Sequence, residues 1–228
     1  MSFPRLELRN VSRTYQLDQQ QPVRALNAIC LTVEAGTVTV LLGRSGCGKS
    51  TLLNLAGAMD FPDAGDVLID GQSTTGLNER QLTELRRNRI GFVFQSFQLL
   101  PTMTALENVE LPLLLARKRG SAQAARERLR WVGLQGREHS LPHQLSGGQM
   151  QRVAVARALV HEPEILIADE PTGNLDTTSG DDVLQLLQRA ARELGATLLI
   201  ATHSREAAAI ADVRVSMRDG GIVAIERD

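Results

Sequence analysis

A glycine-rich segment at residues 43–51 has the residue types and the spacing needed to bind a phosphate chain. Its sequence, GRSGCGKST, fits the pattern G-x-x-x-x-G-K-[ST], follows the apolar run Thr37–Leu42 and opens an apolar helical pattern over Thr51–Ala56. The glycines allow a tight turn whose N–H groups converge on phosphate oxygens, while the helix directs the positive end of its dipole at the anion. Lys49 supplies a charge for the β- and γ-phosphates, and Ser50 supplies a hydroxyl for Mg²⁺. The residues predicted to bind the nucleotide here are Gly43, Arg44, Ser45, Gly46, Cys47, Gly48, Lys49, Ser50 and Thr51.

A pair of carboxylates stands at the end of a second apolar run. Residues 165–168 are continuously apolar and lead directly into Asp169 and Glu170. Open α/β sheets bind ligands beyond the carboxyl ends of their strands, so both side chains are expected at a ligand site. Asp169 is predicted to hold Mg²⁺, directly or through water, because Mg²⁺ prefers oxygen ligands. Glu170 is predicted to orient or deprotonate an attacking water, a role that usually contributes about 10²–10⁴-fold in rate.

The segment LSGGQ at residues 145–149 predicts a second anion site. Ser146 and Gln149 have the S-x-x-Q spacing of a capping box, and the glycines between them expose the first N–H groups of the following helix. A well-capped helix that binds no ligand explains the pattern equally well. One phosphate chain does not need two helix N-termini from one subunit. The second site therefore suggests composite sites that are shared between two copies of the chain.

Short β-branched runs alternate with longer helical patterns, which predicts an α/β fold with a parallel sheet. The predicted strands are Arg5–Val11, Ile29–Val33, Thr37–Leu42, Val67–Asp70, Ile90–Phe94, Glu164–Ala168, Thr197–Thr202, Arg214–Met217 and Ile222–Ile225. The runs VTVLL, ILIA and LLIAT are continuously apolar, as expected for central parallel strands covered on both faces. The clearest helix is predicted over Thr177–Leu194, where apolar residues recur with helical spacing before Gly195.

The middle of the chain, from Thr104 to Val160, has helical patterns and no convincing strand. One apolar stripe at helical spacing is formed by Ala122, Ala125, Leu129 and Val132. Pro112 is expected to interrupt the helical segment in which it stands, because proline lacks the N–H that a helix needs. We therefore expect an all-helical lobe inserted into the α/β core.

The composition excludes several classes of protein. The sequence has 228 residues with 25 Lys+Arg against 26 Asp+Glu, which excludes a broadly basic nucleic-acid or membrane-surface binder. Aromatic residues make up 3%, too few for a base-stacking platform. Two cysteines, Cys30 and Cys47, exclude a disulfide framework and a cysteine-rich metal site. The N-terminus lacks the apolar run of a signal peptide and no stretch reaches membrane-spanning length, so we expect a soluble, intracellular protein that reaches a membrane only through a partner.

Several motifs occur along the chain in one order. They are the loop at residues 43–51, Gln95 in GFVFQ, LSGGQ, ILIADE, GNLD at residues 173–176, and His203 after LLIAT. In this order they closely resemble the ATP-binding subunit of ATP-binding-cassette (ABC) transporters, from about Leu6 to Val223. Within that family, GFVFQSFQLLPTMTALENVELPLLL and ADEPTGNLD are most similar to the lipoprotein-releasing and macrolide-exporter group.

This resemblance implies a single ABC ATPase domain over residues 1–228. Its fold class is α/β: a P-loop NTPase (RecA-like) core with a mainly parallel sheet, an N-terminal antiparallel β portion and an inserted α-helical lobe. The implied core comprises residues 1–95 and 161–228, and the implied lobe comprises residues 96–160 and carries LSGGQ, the signature segment of the family.

The resemblance also implies roles for matching residues. Tyr15 matches the aromatic residue that stacks on adenine. Gln95 matches the residue that contacts Mg²⁺ or the water and senses the γ-phosphate, and His203 matches a residue that touches the γ-phosphate. The implied catalytic residues are therefore Glu170, His203 and Gln95, and the implied Mg²⁺ ligands are Ser50, Gln95 and Asp169.

In this family two subunits sandwich two ATP molecules head to tail. The γ-phosphate held by Lys49 of one subunit is then contacted by the signature segment of the other. The residues implied to make that contact are Ser146, Gly147, Gly148 and Gln149. Asp176 is implied to lie at the interface between the two subunits.

The motifs together predict the ATPase motor subunit of a transporter. Its cofactors are ATP and Mg²⁺, and its partners are a second copy of itself and an integral membrane permease, with no nucleic acid. We expect a cytoplasmic protein held at the inner face of the cell membrane by that permease, with export or release of a lipoprotein, peptide or hydrophobic compound favoured over import.

Two other classes of protein share some of these motifs. A soluble ABC ATPase could act on DNA ends, ribosomes or an assembly scaffold. Only residues 96–144 separate Gln95 from Leu145, which is too short for the coiled-coil insertion of DNA-repair members, whereas a scaffold-assembly ATPase stays open on length. A P-loop kinase or GTPase leaves LSGGQ unexplained, and the guanine motif Asn-Lys-x-Asp is absent from the sequence.

Overall fold

The computed structural model describes residues 4–16 and 21–227, so both ends of the predicted domain lie outside the described residues. The chain forms two compact units. The first comprises the described residues of Met1–Arg86 and Thr197–Asp228, and the second comprises Arg87–Ala196. The division into a core and a lobe at residues 96–160, made from the sequence, stays a prediction.

The first unit contains an antiparallel sheet in the order β2-β1-β4-β5. Its strands are β1 (Leu6–Tyr15), β2 (Val23–Val33), β4 (Ala64–Ile69) and β5 (Gln72–Ser73). β1 lies in the middle and pairs antiparallel with β2 and β4. The N-terminal antiparallel portion is therefore confirmed. β5 was not predicted, because a strand as short as QS carries no apolar alternation.

The same unit contains the strand that precedes the phosphate-binding loop. That strand, β3 (Val38–Leu42), pairs parallel with β8 (Thr197–Thr202) and with β9 (Val213–Arg218). β10 (Gly221–Arg227) returns antiparallel to β9. Every residue of β8 and all but the last of β3 are buried, which confirms that these continuous apolar runs form covered parallel strands.

The second unit contains one parallel strand pair and most of the helices. β6 (Ile90–Phe94) pairs parallel with β7 (Ile165–Asp169). The helices of this unit are α3 (Ala105–Leu115), α4 (Ser121–Trp131), a short 3-10 helix (Pro142–Gln144), α5 (Gly147–Leu159) and α6 (Thr177–Leu194). α6 has the predicted bounds, and the stretch from 104 to 160 is helical as predicted. The other helices among the described residues are α1 (Lys49–Ala56), α2 (Glu79–Arg89) and α7 (Arg205–Ala209).

The expected interruption at Pro112 is wrong, because α3 continues through it. The helix begins at Thr104 with a capping box: the Thr104 hydroxyl accepts from the Glu107 N–H, and the Glu107 carboxylate accepts from the Thr104 N–H. Val109 and Leu113 are buried on either side of the proline. The cap and the buried face offset the cost of an interior proline, which is about 3 kcal/mol.

Each unit has its own apolar core. In the first unit the fully buried side chains include Leu6, Leu41, Leu52 and Ile69. In the second unit they include Leu129, Val153, Leu166 and Leu187. Among the residues that the structure describes, no helix has the length and apolar character needed to cross a membrane.

Candidate nucleotide-binding and hydrolysis site

The phosphate-binding loop connects β3 to α1 and depends on Gly48. Gly48 is the N-cap of α1 and has φ 103°, a left-handed backbone that side chains rarely adopt. A Cβ at this position would also collide with the carbonyl oxygen of Ala25. Glycine is therefore required twice over here, by conformation and by space. The turn leaves the first N–H groups of α1 at the loop, as an anion site needs.

Lys49 is oriented across this loop. Its side chain is buried, and Nζ donates to the carbonyl oxygens of Gly43 at 2.7 Å and Arg44 at 3.3 Å. The ammonium group is thereby held against the backbone of the turn, in a loop whose residues Ser45 and Ser50 are exposed. A cation held in this way, with helix N–H groups behind it, can bind a β- and γ-phosphate pair.

Cys47 contributes to the loop through its backbone. Its N–H donates to the Arg44 carbonyl at 3.2 Å, and its carbonyl accepts from the Gly220 N–H at 3.1 Å. The thiol is buried and free of any disulfide. Cys47 therefore fixes the turn through its backbone, and its side chain is buried.

Tyr15 and His203 lie in the first unit with the phosphate loop. The hydroxyl of Tyr15, at the end of β1, donates to Asp60 Oδ2 at 2.9 Å, and the guanidinium carbon of Arg13 lies 4.9 Å from the ring centroid. Arg13 thus covers one face of the ring. Stacking of adenine on Tyr15 stays a prediction. His203 is exposed and follows the last residue of β8, Thr202.

Gln95 and the carboxylate pair lie in the second unit, at adjacent strand ends. Phe94 pairs with Asp169 in the parallel register of β6 and β7. Gln95 and Glu170 are therefore the first residues after these two strands. The carboxyl ends of the two strands therefore bring these groups to one edge; the sequence predicted this place for the carboxylates and did not predict Gln95 beside them. Glu170 has φ 45°, an uncommon conformation for a residue with a side chain and one that clusters at active sites.

Gln95 is held by a partner that the sequence prediction missed. Its Nε2 donates to Asn174 Oδ1 at 3.2 Å, and Asn174 Nδ2 donates back to the Gln95 carbonyl at 3.1 Å. Residue 173 must be glycine for this contact, since a Cβ at Gly173 would lie 2.7 Å from Gln95 Nε2. The signal was present in the sequence, because Asn174 stands inside GNLD.

The N-terminus of α5 has the capping box that the sequence predicts. Ser146 is the N-cap; its hydroxyl accepts from the Gln149 N–H at 3.3 Å, and Gln149 Oε1 accepts from the Ser146 N–H at 3.0 Å. Gly148 is buried, and a Cβ there would lie 2.8 Å from the Ser179 hydroxyl on α6. The remaining N–H groups of the first turn give α5 a positive end.

Asp176 has a local role that the sequence reasoning did not assign. It is the N-cap of α6, accepting from the Ser179 N–H at 3.0 Å and from the Ser179 hydroxyl at 2.8 Å. These hydrogen bonds, the one from the backbone N–H first, hold the pKa of Asp176 below its usual value. Its place at a subunit interface stays a prediction.

The predicted Mg²⁺ ligands are divided between the units: Ser50 lies in the first, and Gln95 and Asp169 lie in the second. Within residues 4–16 and 21–227 no group of three or more His, Cys, Asp or Glu side chains could hold a metal ion by itself. Hydroxyl, amide and single carboxylate oxygens fit Mg²⁺, which commonly binds one or two carboxylates together with substrate phosphates and waters.

Comparison with known proteins extends these observations. The profile of the ABC transporter family matches residues 26–173. The chain is 46% identical over 228 residues to an ABC transporter ATP-binding protein of Thermotoga maritima, covering 97% of this chain and 95% of that protein. It is 42% identical over 224 residues to the macrolide export ATP-binding/permease protein MacB 2 of Aeromonas hydrophila, covering 97% of this chain and 34% of that protein.

A solved structure agrees with the fold. It is the dimeric post-hydrolysis state of the ATP-binding cassette MJ0796 from Methanocaldococcus jannaschii, bound to ADP and Pi. The match has a TM-score of 0.89 and 40% identity, and it covers 97% of this chain and 98% of that chain. The chain therefore belongs to the ABC transporter family, as one of its ATP-binding subunits.

Proposed function

We propose that this chain is the ATP-hydrolysing motor subunit of an ABC transporter. The observation that supports the proposal is the occurrence, in one chain, of two segments whose geometry suits an anion. One is the loop in which Lys49 donates to Gly43 and Arg44, and the other is the capped N-terminus of α5 at Ser146. A protein that binds a phosphate chain only once does not need the second site.

Each predicted site residue has a proposed role in hydrolysis. The 43–51 loop binds the phosphates, with Tyr15 against the base and His203 at the γ-phosphate. Glu170 accepts a proton from the attacking water while Gln95 positions that water. Mg²⁺, when bound, would neutralise phosphate charge, with Ser50, Gln95 and Asp169 as its protein ligands.

The second site is proposed to act across a dimer. In a head-to-tail pair, the N–H groups at Ser146–Gln149 of one copy reach the γ-phosphate bound at Lys49 of the other. ATP then stabilises the closed pair and ADP does not, because only ATP carries the phosphate that both copies contact. The solved MJ0796 cassette, which is dimeric and bound to ADP and Pi, supports a dimer that carries nucleotide.

Dimer closure is proposed to drive a separate integral membrane permease, which holds this chain at the cytoplasmic face of the membrane. Two relatives with permease portions support export or release: the macrolide exporter MacB 2 and the probable syringafactin export protein SyfD of Pseudomonas syringae. In both, the region like this chain makes up 34% of the protein. A lipoprotein, peptide or hydrophobic compound is the proposed cargo.

The Glu170→Gln variant tests the ATPase and the dimer together. It removes the base and keeps the shape of the side chain, so we expect kcat to fall by about 10²–10⁴-fold while ATP still binds. ATP that is bound and not hydrolysed should trap a particle of twice the mass of the chain in size-exclusion chromatography with light scattering. The control is Glu127→Gln, an exposed carboxylate of α4, which should hydrolyse ATP normally. Normal turnover in Glu170→Gln would overturn the assignment.

A tagged pull-down from detergent-solubilised membranes of the host tests the partner. A co-purifying protein with few membrane spans and a large extracytoplasmic domain supports export or release. A permease with many spans, accompanied by a secreted binding protein, would overturn export in favour of import. Recovery from the soluble fraction alone would overturn the transporter and favour the scaffold-assembly ATPase.

A further inference from the structure

Gln151 is a fully buried polar side chain that the proposed hydrolysis mechanism does not use. It lies in the first half of α5, two residues after the signature segment, and is 0% exposed. Its Nε2 donates to the carbonyl oxygens of Pro171 at 2.6 Å and Phe94 at 3.3 Å. A buried carboxamide with both donors on backbone carbonyls fixes the two backbone segments that it contacts.

The two carbonyls belong to the segments that carry the hydrolytic residues. Phe94 is the residue directly before Gln95, and Pro171 is the residue directly after Glu170. One side chain therefore holds the backbone beside both groups. The orientation of the carboxamide follows from chemistry, since the flipped amide would point Oε1 at two carbonyl oxygens.

Two further features indicate that this carboxamide holds the backbone segments beside Gln95 and Glu170. Oε1 of Gln151 is buried with no hydrogen-bond partner among the described residues. Within the described residues, both hydrogen bonds of this carboxamide are therefore those that its donors give to the two backbone segments. Glu170 has the uncommon φ of 45°, and such a conformation persists only where neighbouring contacts hold it. The hydrogen bond from Gln151 to Pro171, the residue after Glu170, is such a contact.

We propose that Gln151 is a positioning residue for ATP hydrolysis. It keeps Gln95 and Glu170 at a fixed separation and ties both to α5, the helix that begins at the signature segment. Contact of that segment with the γ-phosphate on the partner copy is thereby linked to the position of the hydrolytic residues. This inference rests on the proposed function of Gln95, Glu170 and the signature segment.

The Gln151→Met variant tests the proposal, because methionine fills a similar volume and donates no hydrogen bond. We expect kcat for MgATP hydrolysis to fall by at least about tenfold, the scale of one lost positioning contact. We expect the KM for ATP and the affinity for ATP to stay within about twofold, since neither donor contact of Gln151 lies in the 43–51 loop. The number of ATP molecules bound per chain is measured with the affinity, because unfolded chains would lower kcat without changing KM. A fall in kcat at full ATP-binding stoichiometry therefore indicates lost positioning.

A matched control separates positioning from stability. Val155→Ala removes a fully buried side chain of the same helix that contacts neither hydrolytic segment by a hydrogen bond, and it should lower Tm while keeping kcat within about twofold. The proposal is overturned if Gln151→Met keeps native kcat. It is also overturned if the two variants lose the same amount of kcat for each degree by which Tm falls. Absence of ATPase activity in the native protein would overturn the proposed function instead, so the two failures are distinguishable.

Discussion

At the scale of single residues, the position of Gln95 depends on the absence of a side chain at Gly173. Gly173 leaves the space through which Gln95 reaches Asn174. The Gln95 side chain then donates to Asn174 Oδ1, and Asn174 Nδ2 donates to the Gln95 backbone carbonyl. The atom that a Cβ at residue 173 would meet is the far end of a flexible side chain. The consequence of filling that space is therefore a displaced amide and not a disrupted core.

We expect Gly173→Ala to lower kcat for ATP hydrolysis by about tenfold or more, because a misplaced positioning group is costly even when the fold is intact. The free energy of unfolding should change by less than about 1 kcal/mol, since only the Gln95 side chain has to move. Chemical denaturation and steady-state kinetics on the same preparation measure both quantities.

The control for this substitution is Gly180→Ala in α6. There a Cβ would lie 3.5 Å from the nearest atom, Thr172 Cβ, which is ordinary van der Waals contact. Alanine in a helix is favoured over glycine by about 1 kcal/mol, so this variant should be at least as stable as the native chain and should keep its activity. Equal loss of activity in both variants would contradict a specific role for the space at residue 173.

At the scale of elements, α5 is tied to β6 at both of its ends. Near its start, Gln151 donates to Phe94, the last residue of β6; just beyond its end, His161 Nε2 lies 3.1 Å from the carbonyl oxygen of Ile90, the first residue of β6. Between these points a Cβ on Gly91 would collide with the carbonyl oxygen of Ala158. The helix therefore packs directly against the strand backbone, and buried polar contacts fix its register.

This packing makes stability depend on pH through His161. Burial lowers the pKa of His161 below its usual value of 6.5, and the nearby cations Lys118 and Arg128 lower it further, against the Ile90 carbonyl, which raises it. The folded chain therefore binds this proton less readily than the unfolded chain. The stabilisation from neutral His161 is fully present above about pH 6.5 and is lost as the pH falls towards the folded-state pKa.

We expect the free energy of unfolding to decrease between about pH 7 and pH 5, with His161 contributing a slope of at most about 1.4 kcal/mol per pH unit. His161→Gln, which can still donate to the Ile90 carbonyl, should remove that contribution. The exposed His143→Gln is the control and should keep the native slope. Urea titrations at several pH values measure the difference. An unchanged slope in His161→Gln would contradict the expected shift.

The elements that could be predicted from the sequence are those with a strong local pattern. α6 was predicted with its observed bounds, because its apolar residues repeat at helical spacing and Gly195 ends it. The loop at residues 43–51 and the capping box at Ser146 were predicted because their function lies in the backbone, which glycine and cap residues determine locally.

The contacts that could not be predicted depend on residues far apart in the sequence. Nothing local to Gln151 indicates that its donors reach Phe94 and Pro171, and a proline such as Pro112 can lie inside a helix when packing offsets its cost. Gly91 is an intermediate case. A glycine inside an apolar strand already indicates a close backbone approach, and only the fold identifies α5 as the neighbour.

At the scale of the whole molecule, the two proposed anion sites belong to different units of the chain. The phosphate loop with Lys49 lies in the first unit, and the α5 N-terminus with Gly147 lies in the second. In the proposed head-to-tail pair, each ATP is bound by the loop of one copy and by the signature segment of the other. If one copy has a defective loop and the other a defective signature segment, both defects fall in the same site. The second site of that mixed dimer is then intact.

Two inactive variants test this arrangement when they are mixed. Lys49→Ala removes the phosphate-binding charge, and it should bind ATP at least about tenfold more weakly because a charge-assisted contact is lost. Gly147→Asp places a carboxylate in the first turn of α5, which the helix dipole tolerates but a γ-phosphate does not. A Cβ at Gly147 would lie 3.4 Å from Leu175, so the substitution fits the fold.

Each variant alone should be inactive, whereas an equimolar mixture should recover about one quarter of native ATPase activity. Random pairing makes half of the dimers mixed, and each mixed dimer has one intact site of two. The control is a mixture of Lys49→Ala with Glu170→Gln, which should recover nothing because both substitutions affect the loop side of the shared site. Recovery in the control as well, or in neither mixture, would contradict a site built from the loop of one copy and the signature segment of the other.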